Sequence, residues 1–266
     1  MNDVTRAFHA ARKKVVVVLN VGGVIETASW KNVPDAVLLA WQAGQEGGNS
    51  VTDILTGKQS PSGKLPMTFP VNLMDAGSSA NFPIDSDTGV YFMNRREDTG
   101  EKDVDVTRYE EGIYVGYRWF DKHQMAVSYP FGYGLSYTSF RYELPMVAND
   151  GTSVMAFVNV TNVGQVAGKE AVQLYVSAPQ GTLDKPVREL KAFAKTRELA
   201  PGETQTLTFS FPTSELASFD EEASAWKVDA GTYLFQFGAS SRDIRCTATA
   251  EVAASEVPVH RVLLLQ

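Results

Sequence analysis

Apolar positions follow two different rhythms along this chain. Near the start they come in unbroken runs, Val15-Val16-Val17-Val18-Leu19 and then the stretch Pro34–Trp41. Strands buried on both faces, as in a parallel sheet covered by helices, read this way. Thr5–Lys14 reads as the end of a helix whose Arg12, Lys13 and Lys14 suit its C-terminal dipole. Gly44-Gln45-Glu46-Gly47-Gly48 leads into a second helix over Asn49–Thr56, stopped by Gly57. Ser60–Gly63 is a turn, and Lys64–Phe69 an extended segment ending at Pro70.

From Tyr137 onward the rhythm changes to strict alternation. Candidate strands are Phe140–Leu144, Val154–Asn162, Glu170–Val176, Leu190–Thr196, Thr204–Phe211, Tyr233–Phe237 and Ile244–Val252. Turn signals separate them, among them Asn149-Asp150-Gly151 and Pro201-Gly202. About seven alternating strands in ~110 residues predict an immunoglobulin-like sandwich. The expected fold is therefore an α/β remnant, a partial parallel sheet with flanking helices, followed by an all-β sandwich of immunoglobulin or fibronectin III type. Boundaries fall at 1–70 for the α/β part, 71–136 for a long connector, 137–252 for the sandwich and 253–266 for a C-terminal tail. The connector carries acidic clusters at Asp85–Asp87 and Glu97–Asp105, and an aromatic stretch, Tyr109–Phe120, that reads as extended. Two or three buried parallel strands cannot cover both faces of a doubly wound sheet. The chain is thus expected to begin partway through a domain. The Val15–Leu19 strand then has an edge wanting a neighbour, so self-association or docking of the absent part is expected there.

Composition narrows the function. The net charge of −7 at pH 7 argues against nucleic acid, which needs a clustered cationic surface. Met1–Ala11 is polar, without the apolar core of a signal peptide, and Val15–Leu19 is far too short to span a membrane. Compartment stays open. Cys246 stands alone, a strand residue rather than a nucleophile. His9, His123 and His260 lie far apart, and Asp85-Ser86-Asp87-Thr88-Gly89 lacks the later acids of a calcium loop, so no metal is expected. No cofactor is expected either. The Gly44–Gly48 turn could offer amide protons to an anion, but without a following Lys-Ser/Thr it reads as a tight turn.

Glu110 and Glu111 are adjacent in a stretch read as extended, so they point to opposite faces and cannot together flank one glycosidic bond. One of them, Glu110, is a candidate contact to sugar hydroxyls. Of Trp30, Trp41, Trp119 and Trp226, three read as core residues; Trp30, at the end of a loop, is the candidate sugar platform. Asn159-Val160-Thr161 matches a glycosylation acceptor but falls mid-strand.

These segments together resemble glycoside hydrolase family 3. Val15–Leu19, Trp30, Val33-Pro34-Asp35-Ala36, Gly44–Gly48 and Ser60–Pro70 are similar to the end of that family's α/β-sandwich domain. Tyr109–Arg118 and Pro130–Thr138 are similar to its connector. Asn162-Val163-Gly164, Gly168–Val176, Pro186–Phe193 and Leu199–Glu203 are similar to its fibronectin type III-like domain. The resemblance implies a retaining, β-glucosidase-like hydrolase. It places the nucleophile in an N-terminal (β/α)8 barrel and the acid/base glutamate upstream of this chain's first residues. No residue here inherits either role, so no catalytic residue is assigned, and the chain alone is expected to be inactive. The implied partners are the barrel half, in cis or trans, and a β-linked glycoside. A stand-alone carbohydrate-binding or protein-interaction module is the competing expectation, and a rearranged enzyme with a following barrel finds no room before Gln266.

Overall fold

The computed structural model describes residues 1–80 and 110–259. The acidic clusters at Asp85–Asp87 and Glu97–Asp105, the Asp85–Gly89 stretch, Tyr109 and His260 lie outside the described residues.

Helix α1 (Asn2–Ala10) precedes strand β1 (Val16–Leu19), and β1 pairs in parallel with β2 (Ala36–Leu39), Val16 facing Ala36 and Leu19 facing Leu39. Asp35 explains how the three join. Its carboxylate accepts hydrogen bonds from Lys14 Nζ, His9 Nε2 and the Val15 backbone N–H, each 2.8 Å long. The start of β2 is thereby pinned to the turn after α1. Helix α2 (Gly47–Leu55) follows and ends at Gly57, whose φ of 76° only glycine adopts freely. Only part of the expected parallel sheet is seen: among the described residues it is one pair. Val16 and Val18 on β1 are 42% and 40% exposed, an apolar face without the cover a parallel sheet requires.

Short strands β3 (Phe69–Pro70) and β4 (Val127–Tyr129) pair antiparallel and lead into the second region. The stretch 109–120 was expected to be extended. From Glu110 on it is instead a turn, followed by helix α3 (Tyr117–Lys122). Gly112 and Gly116, at φ 56° and 59°, break the backbone on either side of Ile113–Val115, and aromatic richness alone had suggested a strand.

The sandwich is built from β5 (Phe140–Asn149), β6 (Ser153–Asn162), β7 (Ala171–Ser177), β8 (Glu189–Lys195) and β9 (Thr204–Pro212). These are completed by β10 (Ser218–Asp220), β11 (Ala225–Val228), β12 (Gly231–Ser240), β13 (Asp243–Val252) and β14 (Ser255–Pro258). Sheet order is β5-β6-β9 in one layer and β13-β12-β7-β8 in the other. Those seven are the strands the alternation predicts. The inward row of β6, Val154, Ala156, Val158 and Val160, is fully buried against Phe235 and Phe237 of β12 and Val172 and Leu174 of β7. Burying each such large side chain stabilises by about 1.5–3 kcal/mol. A third sheet, β10-β11-β14, was not expected, and residues read as tail include the strand Ser255–Pro258.

Asn162 organises one end of the sandwich. It is fully buried, and its carboxamide donates to Val166 O and Leu199 O while accepting from Thr138 Oγ1 and the Gly164 N–H. Gly164 is required there, since a Cβ would sit 2.1 Å from Thr138 Oγ1.

The two regions are joined by the strings 60–70 and 130–138. Leu65 N donates to Tyr133 O, Gly132 N donates to Leu65 O, and Ser60 Oγ lies 2.9 Å from Ser136 Oγ. Gly134 comes so close to Gly63 that a Cβ would lie 2.2 Å from the Gly63 carbonyl oxygen. Beside this seam, buried Glu170 receives the Tyr142 hydroxyl at 2.7 Å and Lys64 Nζ at 3.4 Å. Burial and the Glu170 charge together push the Tyr142 phenol far above its ordinary range.

Candidate functional site

In parallel α/β sheets, the loops at the carboxyl ends of the strands carry the chemistry. Here those are the loops after β1, residues 20–35, and after β2, residues 40–46. Trp30 sits in the first. Two tight turns shape it: Trp30 N and Lys31 N both donate to Thr27 O, and Val33 N donates to Trp30 O. Glu26 secures the approach by accepting from the Ser29 N–H and hydroxyl, contacts that hold its carboxyl below the usual carboxylate range. The indole Nε1 of Trp30 donates to Glu26 O at 2.8 Å, so its polar edge is satisfied and the ring is half-buried.

The same loop is stapled to β4. Buried Thr27 Oγ1 lies 2.6 Å from Ser128 Oγ, Lys31 Nζ donates to Ser128 O, and that ammonium stands 4.6 Å from the Tyr129 ring centre. An aromatic chain runs on from there, with Trp41–Phe69, Phe69–Tyr129 and Tyr129–Tyr133 ring centres 6.3, 6.2 and 5.1 Å apart. The arrangement fixes the β1 loop on a rigid aromatic base rather than leaving it free. Lys31 and Ser128 gave no signal in the sequence, because their role depends on a contact across about a hundred residues.

Glu110 is exposed, on the segment entering the 111–116 turn. Glu111 is half-buried and lines a cavity of about 230 Å³ with Thr68, Tyr114 and Trp119. The opposite faces expected for the two carboxylates assumed an extended stretch, and the turn at 111–116 removes that premise. Trp30 lies in the loop after β1 and Glu110 on the segment that enters the 111–116 turn. Among the described residues no cluster of three or more His, Cys, Asp or Glu is placed to hold a metal, and no helix is long and apolar enough to cross a membrane.

The tryptophans depart from expectation. Trp119 is half-buried and donates to Asp75 O, and Trp41 packs on Phe69. The most exposed indole is Trp226, at 48%, tilted against Phe219 at 5.2 Å. It stands on the unforeseen third sheet, where Ala225 and Val228 turn inward and Trp226 outward, in register with Phe219 and Val257. Cys246 is half-buried, its thiol pushed up to about 11 by burial, which suits a structural residue.

Comparison with known proteins adds the family. Residues 1–117 match the glycosyl hydrolase family 3 C-terminal domain, and residues 170–241 match the fibronectin type III-like domain. A β-glucosidase A of Butyrivibrio fibrisolvens is 42% identical over 255 residues, covering 87% of this chain and 29% of that protein. An exo-α-(1→6)-L-arabinopyranosidase of Bifidobacterium breve is 38% identical over 242 residues, covering 90% of this chain and 29% of its own length. The structure of β-glucosidase 3B from Thermotoga neapolitana in complex with α-D-glucose superposes with a TM-score of 0.86 at 42% identity, covering 97% of this chain and 34% of that one. The chain thus spans about three tenths of the length of the curated relatives it matches.

Proposed function

The chain belongs to glycosyl hydrolase family 3, through that family's C-terminal domain and a fibronectin type III-like domain, and from that premise we propose that it serves a β-glucosidase-like hydrolysis of O-glycosyl bonds in which the catalytic carboxylates lie outside these 266 residues. Retaining hydrolysis needs two carboxyl groups about 5 Å apart, one as nucleophile and one as acid and then base. In this reading a (β/α)8 barrel supplies the nucleophile, in cis or in trans. The α/β region supplies the wall beside it, with Trp30 and Glu110 at the substrate rim. The sandwich braces that wall through the seam of residues 60–70 and 130–138.

The observation that carries this reading is the Val16 and Val18 face of β1, open among the described residues, combined with a collinear match over nearly the whole chain. A valine face left open on a parallel sheet is a surface built to meet more protein.

A second reading, a sugar-binding module, has one observation of its own: the outward Phe219–Trp226 pair. The test separates the two. The purified chain is assayed on an aryl β-glucoside alone and after mixing with the part of the Thermotoga neapolitana enzyme that lies outside the alignment. Turnover only in the mixture, reduced several-fold by Trp30→Ala, supports the proposal. Turnover by the chain alone, lost on changing Glu110 or Glu111, would overturn it.

A further inference from the structure

The cavity of about 230 Å³ beside Glu111 lies between the string 67–70, residues 73–78 and helix α3 with the turn before it. Val24, Met67, Leu73, Val115 and Phe120 give it an apolar wall. Hydrogen bonds hold that wall from several sides. Asn72 Oδ1 accepts from the Met74 N–H and Asp75 Oδ2 from the Asn72 N–H, and Trp119 Nε1 donates to Asp75 O at 3.0 Å. Gly77 lies so close to the indole that a Cβ would come within 2.9 Å of the ring. On the other side the Tyr114 hydroxyl donates to Asp184 at 2.6 Å, which ties the turn to the sandwich. Walls fixed in this way form a site before any ligand arrives.

Two groups on the wall lack the partners their chemistry calls for. Thr68 is 8% exposed, and among the described residues its Oγ1 has no hydrogen-bond partner. Buried hydroxyls are nearly always paired, so one left open beside a cavity marks a place for a polar atom. Glu111 is half-buried and is the one charged residue among the described ones lining the cavity. Among the described residues no ion pair engages its carboxylate. The cations that follow it on α3 are committed elsewhere, Arg118 to Glu189 at 3.2 Å and Lys122 to Asp184 at 2.9 Å. A half-buried carboxylate without a counter-ion attracts a cation more strongly than an exposed one does. An ammonium has three donors and no acceptor, which suits a carboxylate and a hydroxyl oxygen together. Size sets the rest: an apolar cavity of about 150 Å³ holds benzene, so this one has room for a single ring with a short arm.

We propose that this cavity binds a small primary amine as its ammonium ion, with Glu111 as counter-ion, Thr68 Oγ1 as hydrogen-bond acceptor and the apolar wall packing a one-ring body. The site lies on this chain alone and is independent of the glycosidase reading.

The experiment titrates the full chain with benzylammonium chloride and follows the ¹H–¹⁵N signals of the Trp119 indole and of the Thr68 and Val115 amides. The expected result is saturable shifts with a dissociation constant on the order of 1 mM. Benzyl alcohol, the same ring without the charge, should bind about tenfold more weakly, and benzoate should not bind. Glu111→Gln should bring benzylammonium down to the affinity of benzyl alcohol and leave benzyl alcohol unchanged. Thr68→Val should weaken both, while the β6 amide signals stay in place in either variant and report an intact fold. Absence of saturable shifts would overturn the proposal. So would equal affinity for benzyl alcohol, or undiminished benzylammonium binding by Glu111→Gln. A last probe, n-butylammonium, has the shape of a lysine side chain. Tighter binding of it than of benzylammonium would also overturn the proposal, and would give the cavity to a lysine of a partner protein.

Discussion

The inward row of β6 in the sandwich and strand β1 of the parallel pair are both rich in valine, and they end in opposite states. In the sandwich, Val154, Val158 and Val160 are sealed between two layers, and every strand of both sheets has a neighbour in register. In the α/β region, Val16 and Val18 lie on an open face. Valine runs are therefore not evidence of a closed core. What distinguishes the regions is whether the chain supplies both layers, and for the parallel pair it does not among the described residues. From this contrast we infer that the sandwich carries its own stability while the α/β region receives further protein.

Substitutions should expose that contrast, and the largest effect belongs to the closed core. Phe235→Ala should cost about 3–5 kcal/mol, a large share of a domain stability of roughly 5–15 kcal/mol, whereas Val18→Ala should stay within about 0.5 kcal/mol. Urea unfolding followed by circular dichroism checks both. Equal costs would mean that the β1 face is covered.

The seam between the regions comes next. Gly134→Ala forces a methyl group against the Gly63 carbonyl and should cost about 1–3 kcal/mol, as overpacking does. Its effect should be local: amide exchange of Leu65 and Gly132 should accelerate while the β6 amides keep their protection. Loss of protection across the sandwich would show that the two regions fold as one unit.

A third change acts on association. Val16→Lys places an ammonium on the open face and should shift any self-associated chain towards monomer in sedimentation velocity. Val17, half-buried, is the poorer probe. An unchanged distribution would move the association surface elsewhere.

The smallest effect concerns acid. Lys14, the Val15 N–H and His9 hold the Asp35 carboxyl far below its usual range. A depressed carboxyl stabilises the fold above its unfolded value, near 3.9, and that contribution is lost as pH falls through the lower folded value. The contacts of α1 with β2 should therefore persist to about pH 4 and loosen below it. Asp35→Asn should remove the acid step, read from the Asp35-linked amide of Val15.

Much of the sandwich was legible because alternation of period two is a local signal. Ser153–Asn162 and Thr204–Pro212 fall within a residue of their predicted limits. Strands β10, β11 and β14 have three or four residues each, too few for a rhythm, and so Trp226 was read as core. The strings Ser60–Pro70 and Pro130–Thr138 were legible as motifs, but their reason, the close approach of Gly134 to Gly63, exists only across seventy residues of chain. Trp30 was singled out from its place in a loop, and the structure puts it in the loop after β1.

Hydrogen–deuterium exchange on Val16–Leu19 and Ala36–Leu39 tests the central claim most directly, measured on the chain alone and after mixing with the unaligned part of the Thermotoga neapolitana enzyme. A two-stranded pair with one face open is marginal in water. The expected result is exchange much faster than in β6 and β12 for the chain alone, slowing by about tenfold or more, roughly 1.4 kcal/mol, on mixing. Full protection in the isolated chain, unchanged by the added half, would contradict the account.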